Sequence, residues 1–426
     1  MAPHFHPSVP RHSEPFICSC QHARHAMASP KFTIPDEFKD QLTSAEPKDS
    51  RSDDEILQSL SDFREVTSEK NIWCYWHSGL ENVPAWCKRN IVDWVRINGP
   101  SWTVRVLDTV PGSPNNILKY VPAEMLPETL IRGTMDGPYA GPHASDMLRG
   151  ACLYLYGGVS MDVGNMLIRE LDRMGWDQLS DPKSPRQICI PRFYDTQPAN
   201  HWVMSRKGDP FIKRWHDLFI HVWKDRTNYS GLAAHPLMAF ATDLDFSKSR
   251  EAGMEWEFIV GPEVVFQYIT QTLCWRRVAM LEEPGEAGFN GAEYQRDHIL
   301  WFRVLPECWP AETVVGFRGE SAFNAFATRL DADPSSEQYQ KAYKLVWKAL
   351  TTASMQKVTH GKNLTKTPAL GLLWDQPENQ DKDHEPGTFA ELFRYGTTHF
   401  RQTRKDLLWE RTEKPTETLK RGLLEV

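Results

Sequence analysis

The sequence lacks any run of about 18 apolar residues, so it predicts no transmembrane helix. Its first residues also lack the apolar core of a signal peptide, which predicts a cytoplasmic protein without a membrane anchor. The eight cysteines show no regular spacing, and in a chain of this size they are expected to be reduced thiols rather than a disulfide framework. The three missing features, a transmembrane run, a signal peptide and a disulfide framework, therefore predict the same compartment, the cytoplasm.

Several function classes are excluded in the same way. The formal net charge is −7, whereas a general nucleic-acid binder normally carries a basic stripe, so no nucleic-acid partner is expected. The first predicted strand is followed by Ser78-Gly79 and not by G-x-G-x-x-G, which argues against a nicotinamide-dependent oxidoreductase. The phosphate loop G-x-x-x-x-G-K-[ST] is also missing.

What the chain does contain is the composition of a globular protein, with 40% hydrophobic and 25% charged residues in 426. Residues 1–50 are interpreted as a disordered segment and linker, because they are rich in Pro, His and Ser and lack hydrophobic periodicity. Residues 51–330 are expected to form the catalytic domain. Residues 331–426 are expected to be a helical region that packs on it.

The first clear unit is a strand, a helix and a second strand. The aromatic and β-branched run 71–76 predicts a buried strand, Pro84 marks a helix start, and 102–108 predicts the next strand. Such a unit implies a parallel sheet with a right-handed crossover. Because ligands bind at the carboxyl ends of such strands, residues 73–76 and Asp108 are expected near a site.

A second unit runs from residue 143 to residue 165. Ser145 is a plausible N-cap for a helix with an apolar stripe, and Gly157-Gly158 predicts its end. A short strand then ends at Asp162. Asp146 and Arg149 are three residues apart, so their side chains are expected to emerge on one face of the helix.

The segment from His143 to Asp162 resembles the signature of glycosyltransferases with a DXD sugar-binding motif, and the capsular-polysaccharide-synthesis proteins are the most similar branch. The shared pattern is Ser-Asp, then Arg, an apolar helix, Tyr-Gly-Gly, an apolar strand and Asp. The resemblance covers roughly residues 70–225. It implies an α/β fold of GT-A type, with a Rossmann-like nucleotide-sugar-binding domain, a mixed, mostly parallel central sheet and a helical C-terminal region.

The resemblance also implies residue roles. Asp162 is expected to be the first acid of the motif, and Asp146 and Arg149 are expected to bind hydroxyls of the donor sugar. Trp73 is expected to stack on the base of the nucleotide. The remaining donor contacts are expected from Ile72, Ser145 and Gly158.

A divalent cation, Mn²⁺ or Mg²⁺, is the expected cofactor, because carboxylate oxygens and a diphosphate suit a hard metal ion. The chain departs from the motif at its second acidic position, which is Gly164. Either Asn165 supplies the second metal ligand together with Asp162, or metal affinity is weaker. This departure also motivates an alternative function, that of an inactive nucleotide-sugar-binding relative.

The predicted function is therefore transfer of a hexose from a UDP- or GDP-sugar to an acceptor hydroxyl, metal-assisted and retaining. The expected partners are the nucleotide-sugar donor and a carbohydrate, lipid-linked or small-molecule acceptor. Other candidates are His235 for the acceptor and Lys344 with Lys348 for the diphosphate. Each of these residue types is more commonly structural or solvent-exposed than functional.

Overall fold

The structure is a computed structural model that describes residues 30–193, 197–241, 250–251, 254, 256–285, 288–411 and 417–426. Residues 1–29, which belong to the segment expected to be disordered, lie outside the described residues. Residues 34–426 form one compact unit. Residues 34–50 belong to that unit, so the prediction of disorder up to residue 50 is wrong for them. Their strand Leu42–Ser44 pairs with Phe400–Gln402 from the far end of the chain.

An eight-stranded sheet crosses the centre of the molecule, in the order β12-β9-β6-β8-β4-β2-β3 with β7 paired to β6. The described strands of the whole chain are β1 Leu42–Ser44, β2 Asn71–Tyr75, β3 Thr103–Leu107, β4 Gly158–Met161, β5 Asn165–Leu167, β6 Ile188–Phe193, β7 Gln197–Pro198, β8 Trp202–Ser205, β9 Ile299–Arg303, β10 Met355–Lys357, β11 Phe400–Gln402 and β12 Trp409–Glu410.

The central sheet is mixed, as expected, with three parallel and four antiparallel strand pairs among the described strands. Among the described strands, β2–β3, β2–β4 and β6–β9 are parallel pairs. The pairs β4–β8, β6–β8, β6–β7 and β9–β12 are antiparallel. The parallel expectation rested on the first strand–helix–strand unit, and that unit does form β2, a helix and β3. Strands β6, β7 and β8 follow one another through short connections, as is usual for antiparallel strands, whereas the antiparallel pairs β4–β8 and β9–β12 join strands far apart in the chain.

Helices cover both faces of the sheet and build the C-terminal region. They are α1 Asp53–Leu60, α2 Ala85–Asn98, α3 Glu128–Ile131, α4 Ala140–Tyr156, α5 Trp176–Ser180, α6 Pro210–Val222, α7 Pro262–Tyr268, α8 Thr270–Met280, α9 Gly291–His298, α10 Val304–Cys308, α11 Glu312–Val315, α12 Gly319–Ala327, α13 Glu337–Thr352, α14 Leu370–Trp374 and α15 Phe389–His399. Among the described residues, no helix is long and apolar enough to cross a membrane.

The C-terminal region contributes strands as well as helices. Strand β10 pairs antiparallel with β5, and β12 pairs antiparallel with β9 at the edge of the central sheet. The helical description of residues 331–426 is thus incomplete. The β5–β10 pair matters most for function, because it brings residues 355–359 against the turn that follows β4.

Candidate active site

Helix α4 supplies the first two predicted site residues. It begins at Ala140, five residues before the predicted N-cap, so Ser145 lies inside the helix and the N-cap prediction is wrong. The early start does not change the relation between Asp146 and Arg149, which remain one turn apart on the same face. Asp146 is 12% exposed and Arg149 only 2%, so the pair is nearly withdrawn from water.

Two consecutive glycines with positive φ angles form the junction between α4 and strand β4. Gly157 and Gly158 have φ angles of 70° and 101°, which glycine adopts without steric cost. A Cβ on Gly158 would lie 2.9 Å from the backbone nitrogen of Asn71 on the neighbouring strand. Gly158 is therefore required by backbone packing, and its expected contact with the donor has no support in this geometry. The turn places Asp162 just beyond the carboxyl end of β4.

Arg149 joins the two acids into one cluster. Its Nη1 donates to Asp146, and its Nη2 donates to Oδ1 of Asp162 at 2.8 Å. The three side chains expected to form the donor site thus converge at one point. Asp162 is the member that faces outward, with 31% of its side chain exposed.

Two amide side chains that sequence reasoning missed complete the inner side of this cluster. Gln271 on α8 accepts from Arg149 Nη1 at 2.7 Å through its Oε1, and its Nε2 donates to the backbone oxygen of Asp146. Asn200 donates to Asp146 Oδ1 at 3.1 Å and to Gln271 Oε1 at 2.8 Å. Because Gln271 and Asn200 both hydrogen-bond to this pair, the positions of Asp146 and Arg149 are fixed before any ligand binds.

Lys357 is the other residue that sequence reasoning missed. It lies opposite Asn165 in the β5–β10 register, and its Nζ donates to Asp162 Oδ2 at 2.8 Å and to Thr359 Oγ1 at 2.7 Å. Its side chain is 7% exposed. Asp162 therefore has one cation on each carboxylate oxygen, Arg149 on Oδ1 and Lys357 on Oδ2.

These charges determine the protonation state of the site. Burial alone would raise the pKa of Asp162, but Lys357 and Arg149 outweigh burial and hold that pKa below its ordinary value. His201 lies in the same field. Burial, together with the positive charge of Lys357, lowers the pKa of His201 to about 3. At neutral pH the site thus contains a carboxylate and a neutral imidazole.

The position that the motif fills with a second acid has no space for a side chain. A Cβ on Gly164 would lie 2.9 Å from Cγ2 of Thr359, and the Thr359 hydroxyl would be closer still. Asn165, the alternative ligand, is fully buried, and its Nδ2 donates to the backbone oxygen of His201 at 3.0 Å. Its Oδ1, the atom that would bind a metal, is buried and has no hydrogen-bond partner among the described residues.

The described residues contain one group of three side chains with metal-ligand chemistry, Asp381, Asp383 and His384. Asp383 bonds to Arg89 and Arg394, and Asp381 lies 3.1 Å from Arg89. This group belongs to the salt-bridge network of Arg89 and Arg394 and not to the cluster around Asp162.

Trp73 does not present a stacking surface, contrary to the prediction. It is 2% exposed, its Nε1 donates to the backbone oxygen of Gly157 at 2.9 Å, and its ring packs against Tyr120 and Tyr156. Ile72 is likewise fully buried in the sheet. The partly exposed aromatic residues at the carboxyl end of β2 are Tyr75 and Trp76.

The other candidates have structural contacts. Asp108 accepts from the backbone of Val110 at 3.0 Å and from Ser113 at 2.6 Å, so it closes its own loop. His235 accepts from the backbone nitrogen of Leu237 at 3.2 Å and caps a short 3₁₀ helix. Lys344 is exposed on α13, and Lys348 donates to Thr313 at 2.9 Å.

Comparisons with known proteins find relatives over most of the chain. Residues 40–247 match the family model described as "Capsular polysaccharide synthesis protein". The chain is 47% identical over 397 residues to "Probable glycosyltransferase FCK3" of Fusarium pseudograminearum (strain CS3096), covering 93% of this chain and all of that protein. It is 35% identical to "O-glycosyltransferase braB" of Annulohypoxylon truncatum, with 88% of this chain and 91% of that protein covered.

A third relative, "O-glycosyltransferase PaGT" of Phomopsis amygdali, is 36% identical over 84% of this chain and 88% of its own length. Among solved structures, "PaToxG Glycosyltransferase" matches 40% of this chain and 66% of its own at 20% identity, with a TM-score of 0.27, which is too low to carry a structural conclusion. The sequence relatives span nearly the whole chain and share one activity in their names. The chain therefore belongs to the capsular-polysaccharide-synthesis-like family of glycosyltransferases.

Proposed function

We propose that this glycosyltransferase moves a hexose from a UDP- or GDP-sugar to an acceptor hydroxyl, and that Asp146, Arg149 and Asp162 bind the donor. The observation that carries the proposal is the buried Arg149, which holds both acids at the carboxyl end of β4 and leaves Asp162 31% exposed. Carboxylates fixed in this way accept hydrogen bonds from sugar hydroxyls without having to reorganise.

In this reaction the bond between the anomeric carbon and the β-phosphate oxygen breaks, and its electron pair stays on the diphosphate. The acceptor oxygen forms the new bond to the anomeric carbon. The resemblance to retaining enzymes favours attack from the same face, with the acceptor proton passing to the departing diphosphate. Asp162 stays ionised throughout, since Lys357 and Arg149 hold its pKa low.

A hydroxyl acceptor is supported by the relatives, two of which are named O-glycosyltransferases. A ring of aromatic side chains adjoins the donor cluster: the His143 ring is 6.0 Å from that of Tyr268 and 5.1 Å from that of Trp223. Nδ1 of His143 is 3.5 Å from Asp146 Oδ2. His143 and Trp223 are each 1% exposed, so Tyr268 is the one of these three rings that is partly exposed and able to contact an acceptor.

The expected Mn²⁺ or Mg²⁺ does not fit the residues present. Both oxygens of Asp162 are engaged by cations, Gly164 has no ligand atom and no space for one, and Asn165 is buried. Such ions take six or more oxygen ligands in proteins, of which carboxylates are the most important. No step of the proposed reaction is therefore assigned to a metal.

A donor screen tests the proposal. The full chain is incubated with UDP- and GDP-hexoses, and release of nucleoside diphosphate is followed by chromatography with and without a panel of hydroxyl acceptors. We expect slow hydrolysis of one donor and faster turnover once a suitable acceptor is added. Nucleotide binding without turnover of any donor would favour the inactive relative instead.

A further inference from the structure

A departing diphosphate gains negative charge as the glycosidic bond breaks, so every glycosyltransferase of this chemistry needs positive charge at that point. In this chain Lys357 reaches the site from the C-terminal region, 195 residues beyond Asp162. Its Nζ is the cation nearest to Oδ2, on the acid that is partly open to solvent.

The ammonium group of Lys357 has a donor to spare. An ammonium has three N–H donors, and the described residues provide two acceptors, Asp162 Oδ2 at 2.8 Å and Thr359 Oγ1 at 2.7 Å. The third donor is available for a phosphate oxygen beside Asp162. The flexible lysine stem also allows the ammonium to follow a phosphate as charge develops.

The β5–β10 pairing places Lys357 beside Asp162. The same pairing places Thr359 against Gly164, the position at which the motif has its second metal ligand. Val358 donates from its backbone to the oxygen of Gly164 at 3.0 Å, and Thr359 packs on the Gly164 Cα. An aspartate at position 164 would collide with Thr359. The chain thus has a lysine held beside Asp162 and a closed position where the second carboxylate of the motif would stand.

We propose that Lys357, assisted by Arg149, supplies the positive charge that a divalent cation supplies in metal-dependent relatives, so that donor binding and transfer need no metal. This inference rests on the proposed function, since it assigns a catalytic role within the same donor site. Lys357 keeps its proton throughout and acts by neutralising the oxygen that receives the electron pair of the broken bond.

The test measures binding of UDP and GDP by calorimetry and by melting temperature, in a chelator and in Mn²⁺. We expect the preferred nucleotide to bind the wild-type protein with affinities that agree within about twofold in the two conditions. Lys357→Met is expected to weaken binding by about 10–100-fold, since a hydrogen bond to a charged group contributes about 1.5–3 kcal/mol. Lys341→Met removes the same charge from a position on α13 that is 51% exposed and is expected to leave binding unchanged.

The possible results separate failure of the Lys357 role from failure of the proposed function. Binding that requires Mn²⁺ or Mg²⁺, or wild-type affinity in a folded Lys357→Met, overturns the role of Lys357 and leaves the proposed function intact. Failure of both nucleotides to bind in either condition overturns the proposed function itself. If Lys357→Met does not fold, the chelator comparison on the wild-type protein and the charge-conserving Lys357→Arg still decide the question.

Discussion

Two buried arginines in this protein each hold two carboxylates, yet the two clusters differ in what they expose. Arg149 bonds to Asp146 and Asp162, and Arg394 bonds to Asp93 and Asp383. The side chain of Asp383 is 1% exposed, whereas that of Asp162 is 31% exposed. Identical residue types therefore make a closed structural network in one place and an accessible anionic group in the other.

The two clusters are also connected. Arg394 donates to Asn90 Oδ1 at 2.7 Å, and Asn90 Nδ2 donates to the backbone oxygen of Val163 at 2.8 Å. The closed cluster thus supports the turn that carries Asp162. We therefore expect a substitution in the Arg394 cluster to lower the free energy of unfolding most. A substitution of Asp162 in the Arg149 cluster is expected to lower turnover most.

The largest expected effect is the loss of stability in Asp383→Ala. Asp383 accepts from Arg89 and from Arg394, and its removal leaves two arginines partly or wholly buried with fewer acceptors. Breaking such a pair costs about 3–5 kcal/mol, which denaturant unfolding measures directly. Asp381→Asn is the matched control, since this 55% exposed residue also pairs with Arg89 and asparagine tolerates its φ of 66°, so the expected cost is under about 1 kcal/mol. Equal losses in the two variants would contradict the contrast.

The second effect is on turnover, in Asp162→Asn. Removing the exposed charge is expected to lower kcat by about 10²- to 10³-fold, as for loss of a group that stabilises a transition state. Steady-state kinetics with the donor found in the screen measures this loss. The melting temperature is expected to fall as well, because the amide leaves the buried cations of Arg149 and Lys357 without their carboxylate, so kcat is compared under conditions in which the variant is folded. A variant that keeps wild-type turnover would remove Asp162 from the donor site.

Sequence patterns predicted the parts of the site that are local in the chain. Asp146, Arg149 and Asp162 lie within 17 residues, where helix spacing and the Gly157-Gly158 turn determine their relation. Gln271 lies 122 residues from Arg149 and Lys357 lies 195 from Asp162, so their approach depends on the β5–β10 register and on helix packing. No short-range pattern specifies such contacts.

Errors in the prediction have a similar origin. The family resemblance implied that Trp73 stacks on the base. Strand β2 is instead buried on both faces from Asn71 to Cys74, and the indole of Trp73 donates to the backbone oxygen of Gly157 in the core. The antiparallel pairs β4–β8 and β9–β12 were not predicted because they join strands distant in the sequence.

A smaller effect is expected from packing beneath the site, in Gly164→Ala. A new methyl group would crowd Thr359, which is itself close to Gly371, where an added Cβ would lie 2.8 Å from Thr359 Cγ2. Overpacking of this kind costs about 1–3 kcal/mol. The double variant Gly164→Ala with Thr359→Ala is expected to recover part of that loss in the free energy of unfolding, because the two sites are coupled. Strict additivity would contradict the steric explanation.

The last expected effect concerns pH and distinguishes the clusters by its sign. Burial raises the pKa of Asp93 to about 6, although Arg394 and Arg96 lower it. A raised carboxyl pKa stabilises the folded state below the unfolded value of 3.8, and this contribution is lost as the pH rises through about 6. The unfolding free energy of the wild-type protein relative to Asp93→Asn should therefore fall between about pH 4 and pH 7.

Asp162 should behave in the opposite way, because the pKa of its carboxyl is lowered by Lys357 and Arg149. Its contribution is present above the unfolded value of 3.8 and is lost as the pH falls through the lower folded value. The wild-type protein compared with Asp162→Asn should thus lose relative stability only in acid. Urea titrations of the wild-type protein and both variants across this pH range measure the two slopes. Slopes of the same sign would mean that the cations beside Asp162 do not outweigh its burial, and the basis for treating it as an ionised donor ligand would be lost.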